Sequence, residues 1–431
     1  MKNLFKKIIT SILIFISKLI LWKYKPKIVA ITGSVGKTST KDAVFAVLSR
    51  FTYVRKTDKS YNSEIGLPLT VLGVPNGWDD PIVWFRNILK GLWLFVWPHK
   101  YPKWLILEVG VGKPGDMART ASWLKTDVVI ITAIGETPVH IEFFESKKHL
   151  VEEKAGLIKT LKKDGILVLN ADDQIVLDMK NKTKNRIVTY GFDGEVDVKA
   201  NNMNILYSDN NELKGIIYRL DSGGSSLPVL LEGVFGKNYI YASLATLALA
   251  YGLKMPLIES IDALKNYGIS QGRMCLLVGI NHSLIIDDTY NSSPFACEAA
   301  LRTLGEVKSN GRKIAVLGDM LELGRHTDDA HKDVGILAKH NTDVLVTVGP
   351  RAKNIKDGAK GEGMDINNIF EFNNAREAGV FLKDFIKEGD LILVKGSQGM
   401  RMERTVECIL EDQANKKNLL VRQDREWLKK V

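Results

Sequence analysis

Acidic residues are missing from the start of this chain: Asp42 is the first, and Lys2, Lys6, Lys7, Lys18, Lys23, Lys25, Lys27, Lys37 and Lys41 all precede it. Much of the net charge of +10 therefore sits at one end, which argues for an anionic surface nearby. Cysteine is scarce as well. Cys275, Cys297 and Cys408 are odd in number and lack metal-ligand spacing, so they read as reduced thiols of a cytosolic compartment. There is no internal repeat and no low-complexity linker. No nucleic-acid module accompanies the positive charge, which lies among apolar residues, so nucleic acid is not an expected partner. The apolar segment Ile8 to Trp22 (IITSILIFISKLILW) is short for a span of about 20 residues and carries Lys18. Three readings of residues 1–25 stay open: a helix lying in the membrane interface, a true crossing, and a core helix capped by lysines. A cleaved signal peptide is disfavoured because no small-residue cleavage site precedes the strand that follows. Membrane contact at the inner face is the expectation, with Trp22 and Tyr24 as interfacial anchors.

What is present begins with length. A chain of 431 residues is too long for one ordinary core and suggests about three units, and 45% hydrophobic with 26% charged residues is an ordinary globular composition. The organising stretch is Lys27 to Lys41, KIVAITGSVGKTSTK. Ile28 to Ile31 form a short apolar run of the buried-strand kind, and TGSVGKT then supplies glycines, a lysine and a hydroxyl before a helical pattern begins. Gly33 and Gly36 let the backbone curl so that its N–H groups face phosphate oxygens, the helix adds its positive end, and Lys37 and Thr38 supply a charge and a Mg²⁺-binding hydroxyl. Ile31 stands where a full Walker A loop has its first glycine, so the loop is the shorter Gly-x-x-Gly-Lys-Thr form.

Further along, Pro81 to Trp104 interleaves Trp84, Phe85, Trp93, Phe95, Trp97, Tyr101 and Trp104 with Arg86, Lys90, Lys100 and Lys103. The apolar repeat Ile82, Phe85, Leu89, Leu92 and Val96 suits a helix pressed on a bilayer surface or a tryptophan-rich core helix. WLILEVG at Trp104 to Gly110 is a strand that delivers Glu108 at its C-terminal end, where open α/β sheets place ligands and where it could meet an ion held by Thr38. DVVIITA and GILVLN add strands, with His140 and the helix of Glu152, Glu153 and Lys154 between them. Strands alternating with helices imply a doubly wound, mostly parallel sheet. Residues 196–234 read as a small antiparallel piece, and Gly236 to Gly252 as an alanine-rich helix. Strands at Leu284–Asp288, Lys313–Leu317, Val344–Val348 and Leu391–Val394 then make a second α/β unit, with DDTYNSSP, LGDMLELG and VKGS as its motifs.

Taken together, ITGSVGKTSTK, SYNSEIGLPLT, HIEFF, the Glu153-Lys154 pair, NADD, DDTYNSSP, LGDMLELG and VKGSQGMRME resemble the Mur ligase family over about residues 28–410. Within it they are most similar to the branch that adds D-alanyl-D-alanine to a UDP-sugar tripeptide. Residues 1–27 stand before it as the membrane-associated segment read from their charge and apolar run, and the resemblance implies a central ATP-binding domain at 28–272 and a Rossmann-like C-terminal domain at 273–431. It implies that Gly33, Ser34, Gly36, Lys37, Thr38 and Ser39 hold ATP phosphates, with Thr38 and Glu108 on one Mg²⁺ and His140 facing a second. Lys154 matches a lysine that some members carry as a carbamate, an anionic metal ligand. Asn291 would contact the adenine, and Arg273, Asp319 and Lys395 would line the cleft between the two domains. Lys37, His140, Lys154 and Lys395 are the expected catalytic set.

The implied chemistry is amide formation through an acyl phosphate. A substrate carboxylate attacks the γ-phosphate of ATP, an amine displaces phosphate, and charge neutralisation by two Mg²⁺ ions and Lys37 is the main demand. A cell-wall precursor, UDP-linked or lipid-linked, and an amino acid or dipeptide are the expected substrates, and a monomer is expected. Two departures stand out. Gly236-Lys237-Asn238-Tyr239 replaces the family's Gly-x-His-Asn, and only 27 residues precede the phosphate-loop strand, so a UDP-sugar-gripping N-terminal domain is not expected in this chain. A membrane-anchored polyglutamate-type ligase and a non-catalytic ATP-binding scaffold are the alternatives.

Overall fold

The computed structural model describes all residues except 1, 59–63, 79, 136–140, 209–212, 266, 268–269 and 430–431, and the side chains of 2–6 and 425–426. The first sheet has nine strands in the order β2-β3-β1-β4-β5-β6-β7-β8-β9. Its members are β1 (Lys27–Thr32), β2 (Val54–Lys56), β3 (Trp104–Glu108), β4 (Thr126–Ile131), β5 (Leu161–Asn170), β6 (Arg186–Gly191), β7 (Val198–Tyr207), β8 (Leu213–Ser222) and β9 (Ser225–Glu232). Pairing is parallel from β2 through to β7 and antiparallel from β7 to β9. The antiparallel piece read from residues 196–234 thus extends the parallel sheet.

A strand covered on both faces must be apolar at successive positions, and β1 is buried from Ile28 onward. Its two-residue period then sorts side chains between layers. Val29 and Ile31 join the core under α2 (Lys37–Phe51), whereas Ile28 and Ala30 join the core under α1 (Lys2–Tyr24), α3 (Gly66–Leu72) and α4 (Pro81–Val96). The same alternation recurs in β3 and β4.

α1 is a built layer of this fold. Ile9, Leu13, Ile16 and Ile20, at helical spacing, are buried in the core that also holds Leu67, Leu72, Trp84 and Leu94. Gly91 allows α1 and α4 to close up, since a Cβ there would lie 2.8 Å from Ile16 Cγ2. The Lys23 ammonium donates to the carbonyls of Phe95 and Trp97, at 2.6 and 2.9 Å, and so satisfies the end of α4. Among the described residues no helix is long and apolar enough to cross a membrane.

Further helices are α5 (Asp116–Ala121), α6 (Lys147–Ala155), α7 (Gln174–Leu177), α8 (Lys237–Gly252) and α9 (Leu257–Leu264). The second sheet then runs β10-β11-β15-β12-β13-β14. It is built from β10 (Cys275–Val278), β11 (Leu284–Asp288), β12 (Lys313–Gly318), β13 (Val344–Val348), β14 (Ile369–Phe372) and β15 (Leu391–Lys395). Only β10 is antiparallel. On its faces lie α10 (Pro294–Glu306), α11 (Thr327–Asn341), α12 (Lys353–Gly361), α13 (Ala375–Phe385) and α14 (Glu403–Ile409).

One buried acid on β11 makes a pH prediction. Asp287 accepts from the Thr289 hydroxyl and backbone N–H at 2.6 and 3.1 Å, while its Oδ2 is buried with no hydrogen-bond partner. Burial pushes the carboxyl up from 3.8 to about 6, against the opposing Thr289 bonds. A folded-state value above the unfolded one means the proton is held more tightly in the fold, so this stabilisation is complete below about 3.8 and lost as pH rises through about 6. At about 1.4 kcal/mol per pH unit the loss is on the order of 3 kcal/mol. Asp287→Asn is expected to remove the fall in stability between pH 4 and 6, read from urea midpoints across that range; an unchanged slope would assign it to other groups.

Candidate active site

The residues after β1 meet a hard steric limit. A Cβ on Gly33 would sit 2.1 Å from Thr132 Oγ1, and Gly36 begins α2 in the left-handed region at φ 86°. The Thr132 hydroxyl donates to the Val35 carbonyl at 2.6 Å, so the end of β4 holds the loop's curve. Lys37 folds back over that loop, its Nζ donating to the Gly33 and Ser34 carbonyls at 2.9 and 3.1 Å. Burial lowers the Lys37 amine below its usual range despite nearby Glu108. Ser34 Oγ is buried without a hydrogen-bond partner among the described residues, and Ser39 is buried, its carbonyl accepting from the Tyr267 hydroxyl at 2.7 Å.

Beside the loop, Thr38 Oγ1 donates to Glu108 Oε2 at 3.0 Å and accepts from Arg273 Nη2 at 2.9 Å. Glu108 is buried, and the Lys41 ammonium lies 3.7 Å away. A hydroxyl and a carboxylate side by side, next to a phosphate-type loop, are the oxygen donors Mg²⁺ takes when phosphate and water complete its shell. Among the described residues no group of three or more His, Cys, Asp or Glu able to hold a metal ion occurs. Lys154, on α6, reaches the same loop from behind. Its Nζ donates to the Gly33 carbonyl at 3.1 Å, and burial, helped by Lys37, holds the amine well below its usual range.

Two clefts open on either side of the loop. One, of about 790 Å³, lies against Gly36, Asn170, Tyr190, Asn238, Tyr241 and Phe295, and reaches His340 on α11. Aromatic rings with convergent amide and carboxylate groups suit a heterocycle, and the Tyr190 hydroxyl is buried there without a partner. The other, of about 920 Å³, lies against Thr38, Lys41, Lys56, Arg273 and Arg422, with Trp78 at its rim, and is suited by its cations to carboxylates.

The expected residues divide between these places. Gly33, Ser34, Gly36, Lys37, Thr38, Ser39, Glu108, Lys154 and Arg273 gather around the loop. Arg273 also stacks on Tyr290 at 4.0 Å. Lys395 is buried in an ion pair with Asp288 at 2.6 Å and donates to the Asn291 carbonyl at 2.9 Å. Asn291 accepts from Gln398 N at 3.2 Å through its Oδ1. Asp319 is buried, accepting the N–H groups of Arg351 and Ala352 ahead of α12 at 3.0 and 2.8 Å. His140 lies outside the described residues. Sequence reasoning passed over Lys41, Asp42 and Arg422. Asp42 takes Lys56 at 2.7 Å and Ser270 at 2.5 Å, and only the charge reversal Lys41-Asp42 at the end of the loop motif hinted at it.

Residues 31–84 and 86–250 match the Mur ligase middle domain, and residues 272–398 match the Mur ligase glutamate ligase domain. The UDP-N-acetylmuramoyl-tripeptide–D-alanyl-D-alanine ligase of Bacillus subtilis is 27% identical over 398 residues, covering 92% of this chain and 78% of that protein. The ligase of the same name from Escherichia coli is 27% identical over 392 residues, covering 90% and 77%. Among solved structures, the MurF ligase from Thermotoga maritima in complex with ADP superposes with a TM-score of 0.76 at 24% identity, over 93% of this chain and 83% of that one.

Proposed function

The chain belongs to the Mur ligase family, and from that premise we propose that it joins D-alanyl-D-alanine, or a similar dipeptide or amino acid, to the peptide of a cell-wall precursor at the expense of ATP. The observation that carries this reading is the convergence of Lys37, Thr38, Glu108 and Lys154 on one short loop between an aromatic cleft and a cationic cleft. The adenine enters the aromatic cleft and the phosphates lie along the loop. Lys37 leaves the Gly33 and Ser34 carbonyls for the transferring phosphate, and Arg273 with Lys56 orients the attacking carboxylate in the cationic cleft. Thr38 and Glu108 would hold one Mg²⁺, and His140 with a carbamylated Lys154 a second, which would supply charge neutralisation at the phosphates. Lys395, fixed by Asp288, lends positive charge at the second sheet's edge of the site. Closure of the second unit over the first keeps water from the acyl phosphate.

The enzyme acts as a monomer on the cytoplasmic side, in contact with the inner face of the membrane through residues 1–25. The test is phosphate release from ATP with D-alanyl-D-alanine and either a soluble UDP-sugar tripeptide or its lipid-linked counterpart. One dipeptide added per ADP formed is expected. Products several residues longer would point to a polyglutamate-type ligase, and silence with both acceptors would sink the assigned reaction.

A further inference from the structure

Surface helices of globular proteins turn a charged or polar face to water. α1 and α4 do not. Packed side by side on one face of the first sheet, α1 leaves Ile8, Ile12, Phe15 and Trp22 exposed, and α4 leaves Ile82, Phe85, Leu89, Trp93 and Val96 exposed. Phe15 is 62% exposed, Trp22 71% and Phe85 61%, and large apolar side chains exposed together, rather than singly, mark an interaction surface. These residues are separate from the buried stripe on each helix: Ile9, Leu13, Ile16 and Ile20 on α1, and Trp84, Gly91 and Leu94 on α4. Both helices are therefore apolar twice, once toward the sheet and once away from it.

The charge around this face is of one sign. Neither residues 1–41 nor residues 81–103 contain an Asp or Glu. Lys7, Lys18 and Lys25 on the α1 side, and Arg86, Lys90, Lys100 and Lys103 on the α4 side, are exposed. Asp80, just before α4, spends its carboxylate capping that helix at Ile82 N, 2.8 Å away. Stacked Trp93 and Trp97, with centroids 4.7 Å apart, stand at the C-terminal end of α4 beside Lys23. Aliphatic and aromatic side chains ringed by long cationic ones, with tryptophans at the margin, match the layered chemistry of an anionic bilayer surface.

We propose that the outward faces of α1 and α4 form one platform that lies in the interface of an anionic lipid bilayer, with neither helix crossing it. This rests on the membrane contact put forward above for residues 1–25 and extends it to α4, but it is independent of the ligase chemistry. Charge complementarity favours lipid over the alternative occupant, a second copy, because two such faces would bring lysines against lysines. Exposed aliphatics at Ile82, Leu89 and Val96 favour it over nucleic acid, which stacks on rings.

The experiment uses the full chain and vesicles of phosphatidylcholine, alone or mixed with phosphatidylglycerol. Binding to the mixed vesicles is expected to be at least about tenfold tighter and to weaken with salt. Phe15→Glu and Phe85→Glu, one on each helix, are each expected to weaken that binding at least about tenfold, with unfolding midpoints unchanged because both side chains already stand in solvent. Equal binding to the two vesicle types, or variants that bind like the parent, would overturn the platform. So would a dimer in lipid-free solution that either variant dissolves. Ligation of a soluble acceptor is assayed on the same preparations: vesicle binding without ligation overturns the reaction and leaves the platform standing, and ligation without vesicle binding does the reverse.

Discussion

Lys37→Ala is expected to lower kcat/KM for ATP by about 10³-fold, the upper end of what loss of one preorganised donor costs at a site of developing charge. The reason lies in how the lysine is held. Its ammonium is buried against two carbonyls of its own loop, with burial lowering its affinity for a proton, so a phosphate oxygen is a better partner than either carbonyl. The fold does not depend on it, because Gly33 and Gly36 owe their conformation to Thr132 and to the start of α2. An unfolding midpoint within a few degrees of the parent is the companion result. Lys37→Arg should rescue little, since a planar fork does not fit where a compact ammonium sits between two carbonyls. Normal turnover by the alanine variant would remove Lys37 from the mechanism.

Glu403→Ala is expected to produce the largest loss of stability, about 3–5 kcal/mol, because it strips one acid from between two buried cations. Glu403 Oε1 accepts from Arg401 Nε at 2.5 Å and Oε2 from Arg422 Nη1 at 3.0 Å, and all three residues are buried. Arg422 also donates to the carbonyls of Thr289 and Tyr290, so this network ties the C-terminal residues to the loop after β11. Glu403→Gln keeps acceptor geometry without charge and should fall between the parent and the alanine variant. Denaturant titration of the three proteins gives the order; an alanine variant as stable as the parent would mean that water reaches the arginines. Arg422 and Arg273 both face Tyr290, so the alanine variant should also raise KM for the acceptor more than KM for ATP.

Local features were legible and distant partnerships were not. The strand, loop and helix around Gly33 to Thr38 could be read because steric need and phosphate chemistry leave few residue choices there. The strands of the second unit were read close to their observed bounds, apart from Cys275–Val278 and Ile369–Phe372, which are four residues each and lie at the sheet's edges. At Asn291 and Asp319 a motif after a strand locates the backbone, while the side-chain partners, Gln398 and Ala352, are remote in sequence and carry no local signal. Arg422 had no local signal at all, since its partner Glu403 lies on another element. Of the readings open for residues 1–25, the core helix accounts for one stripe of α1, while the other stripe stays exposed.

The bond between Arg273 and Thr38 joins the two halves of the molecule at the point where charge arrives. Arg273 stands two residues before β10, the first strand of the second sheet, while Thr38 is in the first turn of the phosphate helix. A divalent cation on the Thr38 and Glu108 oxygens would bring positive charge close to that guanidinium and weaken the bond by repulsion. One hydrogen bond would thereby make the tie between the two sheets sensitive to what the loop holds.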